Sequence, residues 1–334
     1  MCGIHVASAQ ASPSSAVLAP GASLKPLVTP TPFPTIPVIT LPKLSEQETA
    51  TTSAMLSSFL KYEGFGVVKL KQKDLDNDPK RLVVDVEINR VGGLLEVDTG
   101  AGGTVVARRS LKRFRLFEHR TLFGVPTFGK QFAPGKFWGL AKLDTLAMGN
   151  SVMYAVPVAV KEVPQLDGLL GTPELHRVGA VLDSVGSALY LAPGGPSRRT
   201  SDKLAVMLQR NGFTQVPLRL NSDHHLEVGC SIDGVPSTIL VDTGSQFTFV
   251  DQSIGTRAGI MMKQSITADG APLGIGRAKK FAIGDFEIRD ADICFVDLKK
   301  ADHPSTYLLG ISELASNFAI IDIGGLSMYL RHPQ

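Results

Sequence analysis

The chain has 334 residues, which at roughly 150 residues per domain favours two domains over one. Apolar residues make up 43% and charged residues 19%, a balance that excludes a wholly disordered chain, and no run of 18 apolar residues offers a membrane-spanning helix. A net charge of +3 is too small by itself to argue for a nucleic-acid partner, and none is expected; three cysteines (Cys2, Cys230 and Cys294) build neither a disulfide framework nor a four-thiolate zinc site.

The first eleven residues read MCGIHVASAQA. Ala9-Gln10-Ala11 has the small-residue pattern of a signal-peptidase site, although the charged and long apolar regions that precede such a site are missing. Two readings stand: the tail of an export signal, which makes the protein periplasmic or secreted, or a plain disordered N-terminus. Cys2 has no lipobox before it. Residues 12–43 carry eight prolines, from Pro13 to Pro42. Such a run cannot propagate a helix or donate to a sheet, so residues 1–44 are expected to be a signal remnant and an extended leader.

An internal duplication organises the rest. The first copy is expected over 45–191, a connection rich in Gly and Pro over 192–200, and the second copy over 201–334. Ser45 and Glu48 have capping-box spacing and open a helix that runs toward Gly64-Phe65; Gly212-Phe213 stands at the matching place in the second copy. Alternating strands follow at Leu82–Ile88 and Leu94–Val97, and again at Leu226–Ile232 and Thr238–Val241. Each second strand ends in the same tripeptide: Asp98-Thr99-Gly100 and Asp242-Thr243-Gly244. Downstream, Leu169-Leu170-Gly171 matches Leu308-Leu309-Gly310, and Asp183 and Gly186 match Asp322 and Gly325.

One Asp-Thr-Gly triplet arises by chance in roughly a few per cent of chains this long. Two in register, each after an apolar strand and before an apolar-apolar-Gly segment, point to chemistry. Two carboxylates brought within about 3 Å share a proton, so one acts as general base and the other as general acid. The proton belongs to the pair, and neither role is assignable to one residue from the sequence. Gly100 and Gly244 let the loops approach, and Thr99 and Thr243 are short hydroxyl residues able to bond across the axis. Ala101 and Ser245 complete the loops. Leu170, Gly171, Leu309 and Gly310 are expected to pack behind them.

The run Leu95-Glu96-Val97-Asp98-Thr99-Gly100-Ala101 closely resembles the active-site loop of retroviral-type (retropepsin-like) aspartic proteases, and Val241-Asp242-Thr243-Gly244-Ser245 resembles it again. Over about 45–330 the chain is similar to bacterial retropepsin-like proteins with two such domains. The resemblance implies an all-β, bilobal fold of two β-barrel-like lobes with a cleft between them. It implies an aspartic endopeptidase acting on a polypeptide substrate, Asp98 and Asp242 as the catalytic pair, and no metal or organic cofactor. With both half-sites in one chain, a monomer serves as an intramolecular pseudo-dimer. The Tyr-Gly flap motif of pepsin-like enzymes is absent. Flap candidates are Asp269-Gly270 in the second copy and an aromatic stretch containing Phe128 and Trp138 in the first, whose rings either line subsites or pack the lobe core. A peptide-binding module that no longer cleaves, or an enzyme kept latent by its leader, is the rival reading.

Other candidates read as structure. The basic run Arg108, Arg109, Lys112, Arg113 and Arg115 suits a solvated face better than a nucleic-acid patch. Asp74, Asp76 and Asp78 lack the glycine of a calcium loop and read as a hairpin tip. His224 and His225 complete no metal spacing. Cys230 and Cys294 read as buried thiols on strands, and Asp183 and Asp322 as turn-stabilising residues.

Overall fold

The computed structural model of the protein describes residues 44–75, 78–120, 139–266, 272–297 and 307–333. The first copy starts with α1 (Glu46–Tyr62), continues through β1 (Gly66–Lys69), β2 (Lys71–Leu75), β3 (Asp78–Ile88), β4 (Val91–Val97), β5 (Val105–Ala107), β6 (His119–Arg120), β7 (Gly139–Met148), β8 (Ser151–Lys161) and β9 (Gly168–Leu170), and closes with α2 (Thr172–Arg177), β10 (Val181–Asp183) and β11 (Ala188–Leu191). The second repeats the series: α3 (Arg198–Arg210), β12 (Thr214–Pro217), β13 (Arg219–Leu220), β14 (Leu226–Ile232), β15 (Val235–Asp242), β16 (Phe249–Asp251), α4 (Gln252–Arg257), β17 (Met262–Ile266), β18 (Pro272–Ile283), β19 (Phe286–Val296), β20 (Tyr307–Gly310), α5 (Ile311–Ser316), β21 (Ile320–Asp322) and β22 (Ser327–Leu330).

Each copy folds its middle strands into an eight-stranded sheet of the same order. The first runs β2-β3-β4-β9-β5-β8-β7-β6 and the second β13-β14-β15-β20-β16-β19-β18-β17. Additional pairing of β3 with β7, and of β14 with β18, curls each sheet back on itself into a barrel-like lobe. The hairpins that start both sheets turn on two residues of left-handed backbone, Asn89-Arg90 and Asp233-Gly234, the geometry that matches strand twist. Registers agree between copies: Val83 faces Glu96 across β3–β4, and Glu227 faces Leu240 across β14–β15.

The third sheet joins the halves. Its six strands run β1-β11-β10-β21-β22-β12, three from each copy, and its central pair β10–β21 sets Val181 opposite Asp322 and Asp183 opposite Ile320. Alternation along these strands divides the core in two. Leu182, Leu189, Leu191, Ile321 and Met328 face the lobes. Val181, Tyr190, Ile320 and Tyr329 face a layer made by α1 and α3 through Leu56, Leu60, Leu204 and Leu208. Burial of this second face explains why each copy opens with a helix. The α1 helix begins where predicted, because the Ser45 hydroxyl accepts from the Glu48 N–H at 3.1 Å. Ser197 caps the α3 helix by accepting from Thr200 N–H, so its first turn, Arg198–Thr200, falls inside the 192–200 stretch expected as connection.

The duplicated Asp183 holds its turn, accepting from the backbone N–H groups of Val185 and Gly186 and from the Ser53 hydroxyl on α1. Asp322 accepts from Gly325 N–H in the same way. The basic run is engaged locally, Arg108 with Glu118 and Glu162, Arg113 with Asp167 at 2.5 Å, and Arg109 with the Leu166 carbonyl. Leu75 faces Asp78 across β2–β3, so the acidic stretch there is a hairpin; Asp76 lies outside the described residues. Cys230 and Cys294 are buried and unpaired, on β14 and β19, and burial pushes both thiols up to about 12. Among the described residues no helix is long and apolar enough to cross a membrane.

Candidate active site

Both Asp-Thr-Gly loops leave the end of a strand buried in its lobe. In the first, Leu95-Glu96-Val97 of β4 lies parallel to Gly168-Leu169-Leu170 of β9, and Asp98 N–H donates to the Leu170 carbonyl at 3.0 Å. In the second, β15 lies parallel to β20, with Asp242 beside Gly310. The apolar-apolar-Gly segments therefore flank the Asp-Thr-Gly loops. A Cβ on Gly171 would stand 2.5 Å from the Gly103 carbonyl carbon, and one on Gly310 would stand 2.4 Å from that of Phe247, so only glycine lets these backbones pass. The chain then returns to the loop: Thr172 N–H donates to the Ala101 carbonyl, and Ile311 N–H to the Ser245 carbonyl.

The two loops meet in a reciprocal threonine lock. Thr99 Oγ1 donates to the Val241 carbonyl at 2.7 Å and accepts from Thr243 N–H at 3.0 Å. Thr243 Oγ1 donates to the Val97 carbonyl at 2.7 Å and accepts from Thr99 N–H at 3.1 Å. Four cross-lobe hydrogen bonds thus hold two buried side chains whose positions differ by 144 residues. Each aspartate is aimed by its own loop: Asp98 Oδ1 accepts from Gly100 N–H and Asp242 Oδ1 from Gly244 N–H, both at 2.9 Å. Each also lies against the opposite loop. A Cβ on Gly100 would stand 2.3 Å from Asp242 Cγ, and one on Gly244 would stand 2.6 Å from Asp98 Oδ1. Any larger residue would push the carboxyls apart.

Burial dominates the electrostatics. Asp98 is 3% and Asp242 1% exposed. Burial first, and the Asp98 carboxylate second, push Asp242 up to about 7, as expected when two carboxyls share one proton. Asp242 Oδ2 is buried with no hydrogen-bond partner among the described residues. Such an oxygen accepts from a water when ionised and donates to a carbonyl when protonated. Among the described residues no group of three or more His, Cys, Asp or Glu side chains gathers to hold a metal ion.

The flap candidates Asp269, Gly270, Phe128 and Trp138 lie outside the described residues. Three charged residues near the aspartates escaped the sequence reading. Arg81 of β3 and Glu96 of β4 form a buried ion pair at 2.6 Å. Lys161, the last residue of β8, is pushed down to about 6 by burial while Asp98 pulls it up. A signal for Glu96 was present: it interrupts an apolar strand two residues before Asp98, on the same face. His225, read as a turn residue, donates its backbone N–H to Asn221 Oδ1, and its Nε2 lies 3.0 Å from the place of a Cβ on Gly102.

Residues 228–312 match the family model described as aspartyl protease. The matched stretch lies in the second copy and contains Asp242-Thr243-Gly244 and Leu308-Leu309-Gly310. Solved structures similar to it include that described as aspartic proteinase from Irpex lacteus, at 13% identity over 81% of this chain and 98% of that one, with a TM-score of 0.49. Comparison with curated proteins finds no match.

Proposed function

We propose that the protein is an endopeptidase that hydrolyses peptide bonds of extended polypeptides with a water activated between Asp98 and Asp242, and that the monomer is its active unit. The threonine lock carries this reading, because it brings two Asp-Thr-Gly loops from one chain face to face and sets their buried carboxyls side by side. The pair shares one proton, and burial together with the Asp98 charge raises Asp242. The ionised carboxylate takes a proton from water as the oxygen attacks the carbonyl carbon. The protonated carboxyl delivers its proton to the carbonyl oxygen, giving a neutral tetrahedral diol. Collapse of the diol breaks the C–N bond as the nitrogen takes a proton from the first carboxyl and one diol hydroxyl gives its proton to the second carboxylate, so the pair returns to one proton and its starting charge.

Wild type, Asp98→Asn and Asp242→Asn are compared on an unfolded protein between about pH 3 and 8, with products read by mass spectrometry. Cleavage by wild type that vanishes in both variants is expected. Cleavage surviving in both would end the reading. We extend the proposal to a periplasmic or secreted location, on the Ala9-Gln10-Ala11 pattern and the Pro-rich leader. N-terminal sequencing of the protein from its native host tests this, with a mature start at Ser12 as the expected result.

A further inference from the structure

Arg81 makes a contact that the pairing of two aspartates does not by itself require. Its Nη1 donates to Glu96 Oε1 at 2.6 Å and also to the carbonyl oxygen of Gly244, 163 residues away in the other lobe. Arg81 is 8% and Glu96 4% exposed. Gly244 is the glycine that lies against the Asp98 carboxylate. One guanidinium is therefore fastened to a carboxyl of the first lobe and to the backbone of the second catalytic loop. A planar fork with several donors suits two such acceptors at once.

The second copy does not reproduce this arrangement. The 144-residue offset that carries Thr99 to Thr243 carries Arg81 to His225 and Glu96 to Leu240. Strand register agrees, since Val83 faces Glu96 as Glu227 faces Leu240. An otherwise two-fold site thus has an arginine on one side and a histidine on the other. The charged groups around it are Arg81 on β3, Glu96 and Asp98 on and after β4, Asp242 at the end of β15, Lys161 at the end of β8, and His225 before β14. Leu169 of β9, in register with Glu96, adds none.

We propose that Arg81 is a positioning residue of the aspartate pair: braced by Glu96, it ties the Gly244 carbonyl to the first lobe and holds a fixed positive charge beside Asp98 and Asp242. The proposal rests on the pair being the proteolytic centre. Burial pushes Glu96 up to about 8 against the pull of Arg81, and Arg81 draws Asp242 downward against the push of burial. Loss of the cation removes that downward pull and frees the loop.

The test is carboxyl-carbon NMR titration of aspartate-labelled protein, with Asp242 assigned through Asp242→Asn, alongside kinetics on a peptide substrate. In Arg81→Met the Asp242 midpoint is expected to rise by on the order of one pH unit, and the pH–rate bell to move up with it. A fall in kcat of at least about tenfold, with KM nearly unchanged, accompanies the shift. Arg81→Lys restores most of the midpoint, since it keeps the charge, but not kcat, since a point charge cannot span both acceptors. A buried carboxyl left without its partner can block folding. The second variant is therefore Arg81→His with Glu96→Leu, which gives the first copy the residue types of the second and is also expected to raise the midpoint. A midpoint within about 0.3 units of wild type in folded Arg81→Met, or in the double variant if the single one does not fold, overturns the proposal even if kcat falls. Shifted midpoints in a protein that cleaves no peptide would sink the protease reading and leave the positioning role standing.

Discussion

Replacing Thr99 by valine keeps the side chain's shape and removes its hydroxyl. Two hydrogen bonds disappear: the donation to the Val241 carbonyl at 2.7 Å and the acceptance from Thr243 N–H at 3.0 Å. Both orphaned groups are backbone atoms of the other lobe, beside a threonine that is itself 0% exposed. At about 1–3 kcal/mol for each buried group left unsatisfied, Thr99→Val costs about 2–6 kcal/mol. The 3.4 Å contact between the two hydroxyl oxygens adds little, because both hydroxyl hydrogens are already committed to carbonyls. Thr243→Val orphans the Val97 carbonyl and Thr99 N–H instead and is expected to cost a similar amount. Thr99→Ser keeps the hydroxyl and should cost about 1 kcal/mol or less. Urea unfolding of the three variants measures the cost, with kcat/KM expected to fall about 100-fold in the valine variants as the aspartates lose their alignment. A loss under about 1 kcal/mol in Thr99→Val, or equal losses in Thr99→Val and Thr99→Ser, would refute the assignment of the lock to these hydroxyls.

Gly100→Ala places a methyl 2.3 Å from Asp242 Cγ, so activity should drop by at least about 100-fold while far-UV circular dichroism stays native; full activity would show that the loops are farther apart. Asp242 is raised in the folded state to about 7, above its ordinary value of about 3.9, so the stability it lends is present below pH 4 and lost as pH rises through 7. Asp242→Asn escapes that loss and should gain up to about 4 kcal/mol on wild type between pH 4 and pH 8, measured by denaturant unfolding at both; an equal difference at the two pH values would contradict the raised carboxyl. Cys230 and Cys294, buried and held as neutral thiols, should react with a thiol reagent in urea but not in the native protein; rapid native labelling would contradict their placement.

Much of the site was legible because duplication writes the same local chemistry twice. The Asp-Thr-Gly triplets, the apolar-apolar-Gly segments and the Asp-x-x-Gly turns are short and contiguous, and each works through neighbours close in sequence or through a backbone passing beside it. Arg81, Lys161 and the partners of the threonines were not legible in the same way. Arg81 acquires its role only from Gly244, 163 residues later. Lys161 ends a strand of otherwise ordinary alternation, and its nearness to Asp98 comes from the parallel pairing of β5 with β8, with Ala107 opposite it. Arg198–Thr200 read as part of a Pro- and Gly-rich connection because composition is averaged over a window, whereas a helix start depends on one capping hydroxyl at Ser197.

The sequence by itself determined the duplication, the two aspartates, the hairpins and the helix that opens each copy, because periodicity, turn chemistry and capping act over a few residues. Tertiary structure alone decided that three strands from each half merge into one sheet. It also decided that α1 and α3 share one face of that sheet, and that the pseudo-symmetric site carries an arginine on one side only. Those outcomes depend on contacts between groups more than a hundred residues apart, whose free energy appears only when burial removes water from both partners at once.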